Sequence, residues 1–249
     1  VVHIFGQSAD MNPIVRIAKR HRLTIIEDAC ESIGAKYRGK AVGTFGESGI
    51  FAFYPNKQIT TWEGGIIVTN DRKKVALFRS LRNQGRGEDR HWLDHARLGY
   101  NYRMDEMSAA LGLAQLEKID FLLSERKRIA EWYAHYLRGH EARVHAPQTK
   151  VGNTHTWFLY VVQLASGGKR NRDRVMSELE KKGVAAKPYL PSIHLLGFYR
   201  KAFGYRPGDF PVSETVSART LALPFYIGLM KKDVHDICRA LVTTLAPRL

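Results

Sequence analysis

The chain contains only two cysteines, Cys30 and Cys238, among its 249 residues. Two thiols are too few for the disulfide framework of a small secreted domain, so we expect a reducing, cytoplasmic setting. No apolar run approaches the roughly 20 residues of a membrane-spanning helix. The opening residues, VVHIFGQSAD, also lack the basic and apolar regions of a secretory signal. We therefore expect neither an integral membrane protein nor a small disulfide-stapled domain.

Acidic residues are scarce, since 24 Asp and Glu face 39 Lys and Arg, a net charge of +15 with neutral histidines. Such an excess is typical of nucleic-acid-binding proteins when the basic residues cluster. Here they are spread along the whole chain, without a nucleic-acid-binding motif. An anionic small-molecule substrate explains the charge equally well, and nucleic acid is not the expected partner.

The first half of the chain alternates predicted strands and helices. Residues 1–5 and 23–26 have the composition of buried strands, and a helix is predicted between them from Asn12 to Arg22, with Pro13 at its first position. Strand, crossover helix and strand form a βαβ unit, which implies a parallel sheet.

The composition shifts to Pro, Gly, Gln and Asn between Glu141 and Thr154, and the apolar periodicity stops. We therefore predict a domain boundary there, with a larger α/β domain at 1–145 and a small α+β domain at 146–249. Strands are predicted in the second domain at 157–162 and 185–189, and helices at 172–182, 213–221 and 232–245.

Asp28 follows a predicted buried strand. In open parallel sheets ligands bind outside the carboxyl ends of the strands, so Asp28 is a candidate ligand-binding residue. The alternative is an acidic residue that caps the next turn. The small residues of Ala29–Ala35 leave room for a flat ligand or a second backbone.

Lys57 lies between an aromatic strand and a polar loop that ends in glycines, in FAFYPNKQITTWEGG. A lysine amine that is desolvated, or that lies near other positive charge, loses its proton readily and then forms a Schiff base with a carbonyl. The alternative is a solvated surface lysine, the commonest location for this residue type.

Asn101 stands just before a long predicted helix from Asp105 to Phe121. It either contributes to the helix cap or presents its amide to an anion.

Metal-binding and thiol chemistry are weakly supported. His91 and His95 are spaced like metal ligands on a helix, but no third ligand has matching spacing, so no metal site is expected. Cys30 is interpreted as a small core residue rather than a nucleophile.

Four stretches together resemble the DegT/StrS-type nucleotide-sugar aminotransferases, which depend on pyridoxal 5'-phosphate (PLP). They are IIEDACESIGAKYRGKAVGTFGE, GIFAFYPNKQITTWEGGIIVTND, LGYNYRMDEMSAALGLAQLEKID and PYLPSIHLLGFYRKAFGYRPGDFPVSETVSARTLALPF. The order Asp28 then Lys57, 29 residues later, is typical of fold-type-I PLP enzymes. The resemblance implies an α/β fold-type-I PLP-dependent transferase, with a mainly parallel sheet, flanking helices and a small C-terminal α+β domain.

The resemblance also implies roles for individual residues. Lys57 corresponds to the lysine that holds PLP and transfers protons, and Asp28 to the carboxylate that pairs with the pyridinium nitrogen. Glu31 stands where the family often has Gln or His near the ring, and so is expected at the cofactor or the substrate. Asn101 corresponds to an asparagine that reaches the PLP phosphate of a neighbouring subunit, and His194 to a histidine of the substrate region. For His194 the alternative is a loop residue packed among aromatic side chains.

The implied reaction moves an amino group, with glutamate as the expected donor, to a keto-sugar nucleotide. It would serve the biosynthesis of amino sugars, polysaccharides or natural products. The expected assembly is a homodimer. Lys57 argues against the related dehydratases, in which a histidine replaces the lysine.

Three departures support an alternative, a catalytically impaired homologue that acts only as a dimerising partner. Ala52 replaces a serine that binds phosphate in many members, and Trp62 replaces a glycine. If that glycine position has a positive φ, a tryptophan is strained there. In addition, the N-terminal part of the family's large domain has no counterpart before Val1.

Overall fold

A computed structural model describes residues 1–87 and 94–246. The chain divides into two compact units, one formed by Val1–Leu123 with Lys150–Phe158, the other by Ser124–Thr149 with Leu159–Leu249. The sequence-based boundary at 145/146 stays a prediction. Among the described residues, no helix is both long and apolar enough to cross a membrane.

Groups of strands are separated by groups of helices along the chain. The strands are β1 (Ile26–Asp28), β2 (Lys36–Tyr37), β3 (Lys40–Ala41), β4 (Ser48–Ala52), β5 (Gly65–Val68), β6 (Val144–His145), β7 (Asn153–Thr154), β8 (Tyr160–Leu164), β9 (Lys187–Pro188) and β10 (Thr220–Leu223). The α-helices are α1 (Met11–His21), α2 (Arg72–Arg82), α3 (Glu106–Leu116), α4 (Ile119–Leu137), α5 (Lys169–Lys181), α6 (Gly197–Phe203), α7 (Pro211–Arg219) and α8 (Lys231–Thr244). Short 3₁₀ helices cover Ile4–Gly6 and Ile193–Leu195.

The first unit contains the sheet that positions Asp28. β1 pairs in parallel with β4, and β5 pairs antiparallel with the other edge of β4. Val2 also bridges Asp28 in parallel, so the predicted βαβ connection through α1 is present. A second, antiparallel sheet joins the hairpin β2–β3 to β7.

Two of the strand positions predicted in the first unit are wrong. Residues 4–6 form a 3₁₀ helix rather than the end of a strand, with Phe5 at a φ of 59°. The second strand begins at Ile26 rather than Leu23, because Arg22 adopts a left-handed conformation and the Leu23 amide donates to Ala18 at the end of α1.

The second unit is built on a four-stranded antiparallel sheet in the order β6-β8-β10-β9. Its core contains fully buried side chains from the strands and from α5 and α8, such as Tyr160, Leu179, Leu221 and Leu241. The strand predicted at 157–162 begins only at Tyr160, since Trp157 has a φ of 51°.

A buried carboxylate connects three segments of the first unit. Glu27 is fully buried in β1, and its two oxygens accept four hydrogen bonds. The donors are His3 Nε2 at 3.0 Å and the backbone amides of Gly43, Phe45 and Gly46 at 2.7, 2.6 and 2.7 Å. Every strong acceptor direction of the carboxylate is therefore satisfied inside the protein.

These contacts also determine the charge of Glu27 and the tautomer of His3. Burial alone would raise the pKa of Glu27, but the hydrogen bonds from His3 and the three backbone amides outweigh it, and the pKa is lowered. The Nδ1 atom of His3 accepts from the Ala9 amide at 3.1 Å, so its proton lies on Nε2 and points at Glu27. Glu27 is thus an ionised, buried group.

We expect the stability of the protein to fall in acid partly through this residue. Because the folded pKa of Glu27 lies below its ordinary value of 4.5, its contribution is present above that value and is lost as the pH falls through the lowered pKa. In Glu27→Gln the amide NH₂ would face backbone donors, which should lower the free energy of unfolding by about 3 kcal/mol at pH 7.

Urea unfolding at pH 7 and at several values below 4.5 measures both effects. The exposed Glu117 gives the matched control, Glu117→Gln. The wild type should lose more stability in acid than Glu27→Gln does. Equal losses in the two proteins would contradict the assignment of Glu27 as a buried carboxylate that is ionised in the folded protein.

Candidate active site

Asp28 ends β1 on the strand face opposite to Glu27, because successive side chains of a strand alternate. Its backbone is held by the N-terminal segment, since its amide donates to Val1 at 2.7 Å and its carbonyl accepts from His3 at 2.9 Å. One carboxylate oxygen accepts from the Cys30 amide at 3.1 Å. The side chain is half-buried at the carboxyl end of the parallel pair, where ligands bind in open sheets.

Lys57 is withdrawn from solvent. Its side chain is 15 % exposed, and its Nζ lies 3.6 Å from Glu31 Oε1. On another side, Nζ lies 4.5 Å from the centre of the Phe158 ring. The interpretation of Lys57 as a fully solvated surface residue is therefore wrong.

Glu31 is fixed at both its backbone and its side chain. Its Oε2 accepts from the Phe5 amide at 3.0 Å, while its carbonyl accepts from Gln58 Nε2 at 2.6 Å. Sequence reasoning missed Gln58 and Phe158. Adjacency to Lys57 was the only signal for Gln58, and nothing local pointed to Phe158, which lies 101 residues beyond Lys57.

The Cys30 thiol lies among these charged groups. Burial, then a hydrogen bond and charge repulsion from Asp28, raise its pKa to about 12, while the positive charge of Lys57 acts in the opposite direction. The thiol is thus protonated and unreactive at neutral pH, as expected of a small packed residue. Glu31 follows Asp28 by three residues and lies 3.6 Å from Lys57 Nζ, and the Asp28 carboxylate accepts from the Cys30 amide between them, so the three charged groups share one neighbourhood.

This neighbourhood fits the reactive parts of PLP. An aldehyde requires an amine, which Lys57 supplies, and a pyridine nitrogen that must stay protonated requires a carboxylate, which Asp28 supplies. Ala52 has no hydroxyl that could donate to the phosphate. The hydroxyls of Thr60 and Thr61 donate to backbone carbonyls at 2.9 and 2.6 Å.

Trp62 has the positive φ that the sequence comparison with glycine anticipated. Its φ is 68° and its side chain is 71 % exposed. Such a conformation costs about 1–2 kcal/mol in a residue with a side chain. The Trp62 amide donates to Thr60 Oγ1 at 2.9 Å, which holds the strained turn.

Asn101 lies on an exposed segment of the first unit, where its backbone forms an antiparallel bridge with Asn83. It does not cap the following helix, because Asp105 is the N-cap of α3 and accepts from the Ser108 amide at 2.9 Å. A role of Asn101 at a phosphate stays a prediction.

His194 belongs to the second unit and is buried there. Its Nε2 is 2.9 Å from Glu214 Oε1, and its ring packs against Phe210 and Tyr205, with centroids 4.8 and 6.2 Å away. The hydrogen bond with His194, followed by those from the Gly208 and Phe210 amides, lowers the pKa of Glu214. Sequence reasoning missed Glu214, and the substrate role of His194 stays a prediction.

A cavity of about 840 Å³ in the first unit lies outside this neighbourhood. It is lined by Trp62, Ile67, Phe78, Met104 and others, but by none of Asp28, Glu31 and Lys57. Among residues 1–87 and 94–246, no three His, Cys, Asp or Glu side chains are grouped as metal ligands. His91 lies outside the described residues.

Comparison with known proteins gives matches along nearly the whole chain. The sequence profile of the DegT/DnrJ/EryC1/StrS aminotransferase family matches residues 1–242. GDP-perosamine synthase of Caulobacter vibrioides is 39 % identical over 241 residues, which are 96 % of this chain and 64 % of that protein. A UDP-N-acetyl-3-dehydro-alpha-D-glucosamine 3-aminotransferase of Acidithiobacillus ferrooxidans is 34 % identical over 98 % of this chain and 63 % of that protein.

Solved structures give the same result. A DegT DnrJ EryC1 StrS aminotransferase from Brucella abortus superposes with a TM-score of 0.87 at 33 % identity, covering 99 % of this chain and 64 % of that one. DesV of S. venezuelae, solved with a ketimine intermediate, superposes with a TM-score of 0.89 at 30 % identity and the same coverages, 99 % and 64 %. The chain thus spans less than two thirds of the length of these relatives.

The predicted α/β, fold-type-I class is confirmed by these structures. The profile match and the identities extend over the segments that carry Asp28, Lys57 and His194. The chain belongs to the DegT/DnrJ/EryC1/StrS aminotransferase family.

Proposed function

We propose that the protein is a PLP-dependent aminotransferase that moves an amino group, from glutamate as donor, to a keto-sugar nucleotide in amino-sugar biosynthesis. The main observation is the partly buried Lys57 amine, which shares one neighbourhood with the Asp28 carboxylate in a chain of this family. The names of the two curated relatives, one GDP-linked and one UDP-linked, support a nucleotide-sugar substrate.

Bound PLP supplies an electron sink for the substrate's α-carbon. Lys57 binds the cofactor through Nζ and afterwards carries a proton at the same atom. Asp28 holds a proton on the ring nitrogen, and its fixed backbone keeps the carboxylate at that position. Both groups come from the first unit, so the proposed proton chemistry needs no residue from elsewhere in the chain.

Further contacts are assigned on the same basis. Glu31 lies beside the cofactor, Asn101 reaches the phosphate bound by a neighbouring subunit, and His194 contacts the sugar substrate. With Nε2 bonded to Glu214, His194 has Nδ1 left to accept a hydrogen bond from a sugar hydroxyl. The excess of basic residues suits the diphosphate of such a substrate.

We also propose a homodimer, which α3 supports. This helix is mostly apolar, yet Gly112 is its single buried residue. Met107 is 85 % exposed and Leu113 is 63 % exposed. An apolar helix of this kind is stabilised by a protein partner, and a second copy of the chain is the partner that Asn101's proposed role requires.

A cytoplasmic location agrees with the two thiols. Cys30 and Cys238 are both free. Burial raises the pKa of each to about 12, so neither is poised for oxidation or disulfide exchange.

Lys57→Ala should abolish amino transfer to a keto-sugar nucleotide without unfolding the protein. The substitution removes the amine but keeps Asp28 and its contacts in place. The measurement is borohydride reduction in the presence of PLP, followed by peptide mapping, with amino transfer assayed in parallel. Wild type and the control Lys118→Ala, which alters an exposed lysine, should carry the reduced adduct on Lys57. Adduct scattered over surface lysines, or none, would overturn the proposal and favour the non-enzymatic dimerising homologue.

Met107→Glu with Leu113→Glu should convert the dimer to a monomer, because two charges would be buried in an apolar interface. Light scattering measures the mass, and circular dichroism checks the fold. Val151→Glu, at a fully exposed loop position of the same unit, is the control and should leave the dimer intact. A dimer that survives the double substitution would exclude α3 from the interface.

A further inference from the structure

The turn formed by Phe5 and Gly6 is strained and lies close to Lys57's contacts. Phe5 has a φ of 59° and Gly6 a φ of 100°. A bulky residue in the left-handed region is uncommon and persists only where the surrounding structure fixes it. The backbone amide and carbonyl of Phe5 therefore point in fixed directions.

Both peptide groups of Phe5 reach residues that contact the Lys57 amine. The Phe5 amide donates to Glu31 Oε2 at 3.0 Å, and the Phe5 carbonyl accepts from the Phe158 amide at 2.9 Å. Glu31 and Phe158 are the carboxylate and the ring that approach Lys57 Nζ at 3.6 and 4.5 Å. One residue thus orients two contacts of the reactive atom.

Gly6 is what allows the turn to approach this closely. Its carbonyl accepts from the amide and the hydroxyl of Thr156 at 2.8 and 3.2 Å. A Cβ atom at Gly6 would lie 2.6 Å from the Trp157 nitrogen and 2.9 Å from the Phe158 nitrogen. These are backbone atoms, so a side chain at position 6 would push the two segments apart.

We propose that the Phe5–Gly6 turn is a positioning element that holds the Lys57 amine between the Glu31 carboxylate and the Phe158 ring. The inference rests on the proposed function, and deepens it by naming the groups that place the cofactor-binding amine. The turn acts through backbone hydrogen bonds, whereas Glu31 and Phe158 touch the amine itself.

The test is the rate at which acetic anhydride labels Lys57 in the chain without cofactor, measured by peptide mapping. The exposed Lys118 in the same sample is the internal reference. Gly6→Ala should raise the labelling of Lys57 relative to Lys118 about fivefold or more. The added methyl group would displace Glu31 and Phe158 and leave the Lys57 amine open to the reagent. Gly39→Ala is the matched control, since Gly39 also has a positive φ, 83°, but among the described residues no heavy atom beyond those of its chain neighbours lies within 4 Å of its added Cβ.

A second variant keeps the test decisive if Gly6→Ala fails to fold. Glu31→Gln retains an acceptor for the Phe5 amide but loses the ion pair, and should also raise the labelling of Lys57. Its control is Glu117→Gln, which removes an exposed carboxylate. Where Gly6→Ala does fold, combining it with Glu31→Gln should raise the labelling of Lys57 by less than the product of the two single effects, because the turn acts through Glu31.

Labelling that is unchanged in both Gly6→Ala and Glu31→Gln, or that rises equally in Gly39→Ala, would overturn the proposal. Since this experiment needs no cofactor, it is independent of the proposed function. A chain that takes no PLP adduct but shows the expected labelling would contradict the aminotransferase alone. A chain that takes the adduct on Lys57 with unchanged labelling would contradict the positioning element alone.

Discussion

A buried charge constrains the first unit more than any other feature. An ionised carboxylate without access to water is tolerated only if its oxygens accept hydrogen bonds from protein donors. Glu27 receives four, from His3 and from the Gly43–Gly46 loop. Segments far apart in sequence must therefore meet at β1. Asp28, the next residue, is held by this arrangement as well as by its own backbone bonds to Val1 and His3.

The neighbouring acidic residues then differ in role because they differ in environment. Glu27 faces donors inside the unit and is structural. Asp28 faces the carboxyl end of the strand pair, with one oxygen bonded to the Cys30 amide. Glu31 is turned by the Phe5 amide toward the Lys57 amine. Opposite charges in partly buried positions interact more strongly than on the surface, so the direction of each carboxylate matters for how the lysine is held.

Sequence patterns predicted those elements that depend on contacts between residues close in sequence. The helix predicted between Asn12 and Arg22 is observed as α1. Asp28 ends β1 and Lys57 follows β4, and these two strands pair in one sheet. By contrast, periodicity carried no information on which of Glu27 and Asp28 would find buried donors. That outcome depends on a loop sixteen or more residues away.

Long-range backbone contacts explain two of the differences from the predicted strands. A strand was expected through Phe5, and another to begin at Trp157, since both segments are apolar. In the fold these two segments instead bond to each other through Gly6 and Thr156, and each takes a positive φ at its aromatic residue. The propensity of an isolated segment contains nothing about such a contact, which is made between residues 150 positions apart.

The location of the strain is informative in its own right. A positive φ at a residue with a side chain costs of order 1–3 kcal/mol, and Phe5 and Trp157 both have one. A regular strand would have avoided this cost, but the Phe5 amide and carbonyl would then point along a strand ladder rather than toward Glu31 and Phe158. The positive φ of Phe5 and the direction of its amide and carbonyl are thus consequences of the same turn. The first unit loses some stability at this turn, and in exchange the surroundings of Lys57 are set by backbone groups, which have less freedom than side chains.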